Sequence, residues 1–383
     1  MKKLQLTSLQ ILLQQTSQNK NKSLTDCQAF SIFQEGWYKV KIRIFSLIIV
    51  LCLVLSACNP LFPAKTQKTV SPGEGDALFH FIDVGQGDSI LIQTRDTAIL
   101  IDAGTEEGGI SVYNYLKDIG IDYIDCFILT HPHDDHIGGS TKIIGGIDIG
   151  KVYLNGESSS SYSFEDLLDA LIENDISAEV PSFDCVYKFD SLKLKFLSPR
   201  TVYENANDNS LVLMVEHGET KALFTGDAEK NVEAFLLENA DVKADILKIG
   251  HHGSRNASTD AFLRKVLPRV CVIQCGKDNS YGHPHTEVLD RIESINSEIL
   301  RTDKLGTVVL RSNGKTVFDN NGNEFKEIHA DSIKKLIYIG NKKSKVFHAE
   351  TCPNLPGEKN QVIFKLREDA VTQGYTPCNN CMP

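Results

Sequence analysis

The run Thr130-His-Pro-His-Asp-Asp-His-Ile-Gly-Gly139 constrains this chain more than any other segment. Four good metal donors, His131, His133, Asp135 and His136, stand within one short loop directly after an apolar stretch, 123–130, that reads as a strand. Imidazole and carboxylate suit zinc, manganese or iron(II). His131 and His133, at alternate positions, can converge on one ion. Asp135 and His136 then turn toward a second, with the glycines letting the backbone bend tightly. The bland alternative is a surface histidine cluster, and a His-x-His-x-Asp-His run is rare by chance.

The pattern around this loop is short β runs alternating with amphipathic helices. Residues 78–84, 89–93 and 98–101 read as consecutive strands separated by Gly/Asp turns. Ser163 is expected to cap a helix with Phe164, Leu167, Leu168, Leu171 and Ile172 at helical spacing. Residues 192–197, 210–216 and 221–225 return to strand, Asp227 is expected to open a helix, and 245–249 and 270–274 read as buried strands. This predicts an α/β fold, an αββα sandwich of two sheets covered by helices on both outer sides. The polar clusters Asp102, His131–His136, Asp227 and His251–His252 each follow a strand, at the edge where sites assemble in layered α/β folds.

Phe224-Thr-Gly-Asp227 places a carboxylate where it can bridge two ions, and Leu247-Lys-Ile-Gly-His-His-Gly-Ser254 supplies His251 and His252. Asp102 is expected behind the ligands, orienting one of them. With these pieces ordered behind the histidine motif, the sequence resembles the metallo-β-lactamase superfamily and, within it, the hydrolase domain of the ComEC competence proteins. The resemblance rests on Asp83-Val-Gly-Gln-Gly-Asp88, Asn207-Asp-Asn-Ser-Leu211, the His-His-Gly-Ser run and Tyr281-Gly-His-Pro284. It implies a dinuclear site of two divalent ions, zinc or manganese. His131 and His133 would hold the first ion, Asp135 and His136 the second, with Asp227 between them and one of His251 and His252 completing the second. Much of the superfamily has another histidine before the strand leading to the bridging Asp; Asn207–Ser210 has none here. No counterpart of the ComEC group's membrane channel is read in this sequence, and DNA transport is not expected of it.

Two ions about 3.5–4 Å apart lower the pKa of a bridging water and clamp phosphoryl oxygens, making hydroxide the expected nucleophile. Asp135 would accept a hydrogen bond from it. His283 and the non-ligating member of His251/His252, taken as His252, are candidates for leaving-group protonation. The alternative for His283 is a helix-capping role. Lys248, Ser254 and Asn209 are expected to contact substrate, although Lys248 equally reads as a solvent-facing strand residue.

The N-terminal part carries Lys39, Lys41 and Arg43 before an apolar run from Phe45 to Leu55, too short to span a bilayer comfortably. It ends in Leu55-Ser-Ala-Cys58, which resembles the bacterial lipobox, where the cysteine is acylated. An uncleaved anchor is the alternative; both put the remainder outside the membrane, on the extracellular face of the cell. Residues 1–38 are polar and Gln/Asn-rich, and the natural start is expected at Val40. The expected organisation is a leader and signal peptide (1–58), a Pro/Gly tether (59–76), the hydrolase (77–325), a polar connector (326–335) and a small module (336–383).

That module holds His348-x₃-Cys352 and Cys378-x₂-Cys381, which read as a structural zinc site, with a disulfide as the competing reading. For so small a unit, metal would supply folding energy that a core cannot. It resembles the zinc-binding module of the Ada DNA-repair protein, in which both pairs are cysteines and the first is the methyl acceptor. His348 in that place makes methyl transfer unexpected and leaves a fold-only or DNA-contacting role. Cys126, Cys271 and Cys275 sit in apolar strand-like runs and read as inert core residues.

A formal net charge of −10 over 383 residues argues against a dedicated DNA-coating protein. It does not exclude a nuclease, because bound metals bring positive charge to the phosphate. From Lys326 onward nine Lys/Arg face six Asp/Glu, a mild basic bias. The expected function is a lipid-anchored phosphodiesterase with nucleic acid, DNA foremost, as substrate. The alternatives are a phosphodiesterase on other substrates, such as wall-polymer phosphocholine, and a catalytically poor nucleic-acid-binding lipoprotein. No obligate protein partner is implied.

Overall fold

The computed structural model describes residues 71–182, 185–333, 337–350 and 352–378. Cys58, Cys381 and the apolar run before Cys58 lie outside the described residues. Within them, no helix is long and apolar enough to cross a membrane.

Among the described residues, fifteen strands form two sheets. The first takes β1 (Ala77–Phe81), β2 (Ile90–Gln93), β3 (Ala98–Ile101), β4 (Tyr123–Leu129), β5 (Asp148–Leu154) and β6 (Ala178–Glu179). The second takes β7 (Val186–Phe189), β8 (Leu192–Phe196), β9 (Leu213–His217), β10 (Thr220–Phe224), β11 (Ile246–Lys248), β12 (Val270–Ile273) and β13 (Glu298–Arg301). The chain then returns to the first sheet with β14 (Val308–Ser312) and β15 (Val317–Phe318), giving orders β15-β14-β1-β2-β3-β4-β5-β6 and β13-β12-β11-β10-β9-β8-β7. The antiparallel meander β1-β2-β3 gives way to parallel β3-β4-β5. In the second sheet, β10 through β13 run parallel. Parallel strands need crossover helices, and these supply the outer layers.

Side-chain alternation along each strand fills three cores. Phe79, Phe81, Ile90, Ile92 and Ile128 from the first sheet meet Leu194, Phe196, Leu213, Phe224 and Val272 from the second between the layers. The opposite faces pack outward. Leu91, Leu100 and Phe127 receive Val112 and Leu116 of α1 (Glu106–Asp118) and Phe164 and Leu167 of α4 (Tyr162–Glu173). Leu223, Leu247 and Ile273 receive Val232 and Leu236 of α5 (Lys230–Asn239), Phe262 of α6 (Asp260–Val266) and Ile292 of α7 (Thr286–Ser294). Both faces of each sheet are thus buried, which is why the strands read as near-continuous apolar runs. A third, four-stranded sheet is built from residues Tyr338–Asn341, Val346–Ala349, Gln361–Phe364 and Thr376–Pro377.

Two local expectations are corrected. The cap of α4 is Ser161, whose side chain accepts from Phe164 N, so the helix starts before Ser163. Asp227 does not open α5; the helix begins at Lys230 and the Asp227 carboxylate turns into the site described below.

The glycines of the histidine motif also do something other than bend. Gly138 and Gly139 both have right-handed backbone angles, adjoining α2 (Asp134–Ile137) and α3 (Ser140–Ile144). What they provide is closeness: a Cβ on Gly139 would overlap Ala103 O and the backbone of Gly109 in α1. Neither obstacle is a flexible side chain, so relief requires moving α1 off the loop. Gly139→Ala is expected to destabilise the fold by roughly 3 kcal/mol, the upper end of overpacking. Urea unfolding followed by circular dichroism checks this, and an unchanged midpoint refutes it.

Candidate metal centre

Four strand ends deliver the site. Asp102 follows β3, His131 follows β4, Asp227 follows β10, and His251 and His252 follow β11. The β1–β2 loop adds Asp88, and main-chain bonds lock these loops together: Asp88 N donates to Asp135 O (3.1 Å), Gly104 N to Asp88 O (2.8 Å) and Ala103 N to His136 O (2.8 Å). Gly87, with φ 137°, lies so close to Asp135 O that a Cβ would strike it.

The imidazoles share one arrangement. His136 Nδ1 lies 2.8 Å from Asp102 Oδ2, and Asp102 also accepts from Thr130 N (2.7 Å) and Thr130 Oγ1 (2.8 Å). Because the Thr130 hydroxyl proton points to Asp102, that oxygen faces His131 Nδ1 (3.1 Å) as an acceptor. His252 Nδ1 lies 3.1 Å from both Gln274 O and Asp88 Oδ1. Carboxylates and carbonyls only accept, so each Nδ1 carries a proton and each Nε2 is the nitrogen left to face an ion.

Those Nε2 atoms face Asp227. His136 Nε2 lies 3.2 Å from Asp227 Oδ1, and His131 Nε2 and His252 Nε2 lie 4.0 and 3.6 Å from Asp227 Oδ2. His252 Nε2 is also 3.2 Å from Asp135 Oδ2, and His131 Nε2 is 3.0 Å from His133 Nδ1. His136 Nε2, His252 Nε2 and Asp227 Oδ1 are buried without hydrogen-bond partners. Buried orphans cost free energy unless something else satisfies them. Two ligands on a tetrahedral zinc, each about 2.0–2.1 Å from it, stand roughly 3.3 Å apart. The donors therefore fit divalent cations: His131, His136 and Asp227 form one possible group, Asp135, His136 and His252 another.

Electrostatics agree. Burial opposes a charge on His136 and His252, but Asp227 and Asp102 hold His136 well above the usual range, and Asp227 and Asp88 lift His252 to about 10. Burial opposes ionisation of Asp227 too, yet His252 and His136 hold its carboxyl well below the usual range. A floor that draws positive charge this strongly favours cations, whose binding would displace the imidazole protons.

The structure relocates several expected residues. Lys248 is 0 % exposed and pairs with Asp88 Oδ2 at 2.9 Å, so it is neither a phosphate contact nor a solvent-facing strand residue. Ser254 is buried, and Asn209 spends its amide on Glu157, Tyr203 O and Tyr203 N; neither lines the cleft. His252, with Nδ1 held by Gln274 O and Asp88 and Nε2 facing Asp135 and Asp227, stands where a ligand would rather than where a leaving-group acid would. His283 does line the cleft and does not cap α7, whose N-cap is His285. Burial, with His252 and His251 alongside, lowers His283 to about 4, leaving it neutral near pH 7. The cleft, about 420 Å³, is also walled by Gln86, Asn207, Ser159, Ser161 and Tyr281, none of which carried a role in the sequence reading. Asp88 was likewise passed over. Its signal is Lys248 itself, a lysine in a buried strand that demands an acid.

In the C-terminal module, His348, Cys352 and Cys378 bring their ligand atoms within 4.8 Å of one another, with His348 Nδ1 3.4 Å from Cys352 Sγ. Cys352 and Cys378 are not disulfide-bonded to each other. The module's core rests on Tyr338, Phe347, Phe364, Ala370 and Tyr375, small enough that a metal would matter to its folding.

These features carry a family. The chain matches the model of the metallo-beta-lactamase superfamily over residues 82–277 and belongs to that superfamily of metallo-hydrolases. Residues 328–383 match the metal binding domain of Ada. Among curated proteins it is similar to ComE operon protein 3 of Bacillus subtilis (strain 168), 31% identical over 261 residues, which are 63% of this chain and 33% of that protein. It is similar to Recombination protein 2 of Haemophilus influenzae, 32% identical over 237 residues, 59% of this chain and 28% of that protein. Competence protein ComA of Neisseria gonorrhoeae is 29% identical over 240 residues, 61% of this chain and 32% of that protein. The chain spans about a third of the length of these relatives.

Two outcomes follow. Lys248→Met strands the buried Asp88 carboxylate and is expected to destabilise the fold by about 3–5 kcal/mol, with Asp88→Asn added in the same chain recovering part of that loss. Additive effects in chemical denaturation would refute the pairing. Cys352→Ser is expected to remove one equivalent of zinc and leave the ions of the main site, read by elemental analysis; an unchanged zinc content refutes the module's metal site.

Proposed function

We propose that this protein is an exported, lipid-anchored phosphodiesterase that cleaves nucleic acid, DNA foremost, at the outer face of the cell membrane. The observation that carries the reading is the set of bare imidazole nitrogens and carboxylate oxygens around Asp227, opening into a cleft large enough for a phosphodiester. Two relatives whose names speak of recombination and competence support nucleic acid as the substrate class. The match to the metal binding domain of Ada supports it too. Cys58 and the apolar run before it support the anchor.

Bound zinc or manganese would supply Lewis acidity and an activated water at neutral pH. The chain's own residues do the rest. His131, His133, Asp135, His136, Asp227 and His252 would hold the ions. Asp102, Asp88 and Gln274 fix the imidazole tautomers from behind. His283 offers a neutral imidazole on the cleft wall, suited to accept a proton or a hydrogen bond near pH 7 rather than to protonate the leaving group.

A second reading, a phosphodiester that carries a cationic group, such as phosphocholine on wall polymers, is favoured by one feature. Among the described residues lining the cleft there is no lysine or arginine, while Asp134 and the exposed ring of Tyr281 stand at it. The separating experiment incubates purified protein with Mn²⁺ or Zn²⁺ and either single- and double-stranded DNA or a phosphocholine ester. The nuclease reading expects DNA cleavage that falls to background in His133→Ala and on chelation. Turnover of the phosphocholine ester with DNA left intact overturns it, and so does failure to cleave DNA at full metal loading.

A further inference from the structure

Both histidines of the His251-His252 pair present Nε2 to the same oxygen, Asp227 Oδ2, each at 3.6 Å. They do so through an unusual backbone: His251 (φ 49°, ψ 49°) and His252 (φ 53°, ψ 19°) are consecutive left-handed residues, and neither is glycine. Such conformations are unfavourable for residues that carry a side chain and persist where the surroundings enforce them. The consequence is two rings 6.0 Å apart and inclined by 72°, approaching one carboxylate from different directions.

His252 is accounted for by Asp135 and His136. We propose that His251 is a ligand as well, on the other ion, joining His131, His133 and Asp227, and that Glu229 is its positioning residue. His251 repeats the arrangement of the accepted donors. Its Nδ1 lies 3.1 Å from Glu229 Oε1, a carboxylate that only accepts, which leaves Nε2 bare and aimed at Asp227. At 3.6 Å, that Nε2 is too far from Asp227 for a good hydrogen bond and near the spacing of two ligands on one ion.

This assignment also explains the Asn207-Asp-Asn-Ser210 segment, where no histidine stands. Asp208, buried, accepts from Glu229 N (2.8 Å) and Asn231 Nδ2 (2.8 Å), fixing the residue that holds His251. Ser210 Oγ accepts from Asp227 N at 3.1 Å, fixing the shared carboxylate. Asn207 Nδ2, 3.5 Å from His251 Nδ1, is itself a donor and adds no hydrogen bond to the protonated Nδ1, so Glu229 is what orients the ring. The segment supplies no donor of its own and instead sets the positions of Asp227, Glu229 and His251. The assignment concerns the ions alone and stands whichever phosphodiester is the substrate.

The test counts and weighs metal on the full chain, using Mn²⁺ alone as the probe. Isothermal titration gives affinity and stoichiometry, and electron paramagnetic resonance reports whether two Mn²⁺ are spin-coupled. His251→Asn is chosen because asparagine tolerates the left-handed backbone. It is expected to keep one tight ion, lose the second and replace the coupled spectrum with that of an isolated Mn²⁺. Glu229→Gln is expected to retain both ions at saturation with one bound about 10–100-fold more weakly. His251→Asn with two coupled ions at wild-type affinity overturns the proposal. Should that variant fail to fold, Glu229→Gln with both affinities unchanged overturns it equally.

Discussion

One carboxylate, Asp227, is faced by Nε2 atoms of His131, His136, His251 and His252 at 3.2–4.0 Å, and the rest of the molecule is arranged around that crowding. Asp227 is buried, and so are Asp88 and Asp102 behind it. Taking such groups out of water is expensive unless they are paired. The fold meets the demand in two ways. Lys248 neutralises Asp88 from within a strand, and Thr130 donates twice to Asp102. At the edge facing the cleft, His136 Nε2, His252 Nε2 and Asp227 Oδ1 are left buried without hydrogen-bond partners, which concentrates an appetite for cations there.

That confinement carries strain. Asp102, His251 and His252 all have positive φ, and all lie just beyond the ends of parallel strands. The three apolar cores hold the strand ends in register, so the chain has no freedom to relax into ordinary backbone angles. The close packing of Gly87 on Asp135 and of Gly139 on Gly109 extends the same logic. Loops that carry the donors are fastened by main-chain contact, where a side chain would push them apart. Rigidity at the donors and strain in the backbone are two aspects of one design.

Much of this was legible in the sequence, because the layered fold writes itself in apolar runs and the donors sit where those runs end. His131, His133, Asp135, His136, Asp227 and Asp102 converge where their spacing placed them. What could not be read were contacts across the sandwich. Lys248 looked like a phosphate hand because a lysine near a site usually faces water; only the approach of the β1–β2 loop shows Asp88 waiting for it. Ser254 and Asn209 sit in the right motifs yet point into loop scaffolding, a matter of loop conformation that spacing does not fix. Whether one or both of the paired histidines face Asp227 depends on two left-handed residues in succession, a conformation no propensity would suggest.

The distribution of charge has a consequence for how such a site meets a phosphodiester. The lining contributes Asp134, Asp135 and Asp227 and no lysine or arginine among its described residues, and the chain as a whole is acidic. A phosphodiester approaching this cleft is therefore repelled by the protein and attracted only by what the donors hold. Substrate affinity and metal occupancy are then coupled rather than separate: loading the site reverses the sign of the local potential. On the proposed function, the mild basic excess after Lys326 would work in the opposite direction, offering a long polyanion a second foothold that a small ester could not use. In an acidic protein, that difference in reach would separate a polymer from a small substrate more sharply than anything inside the cleft.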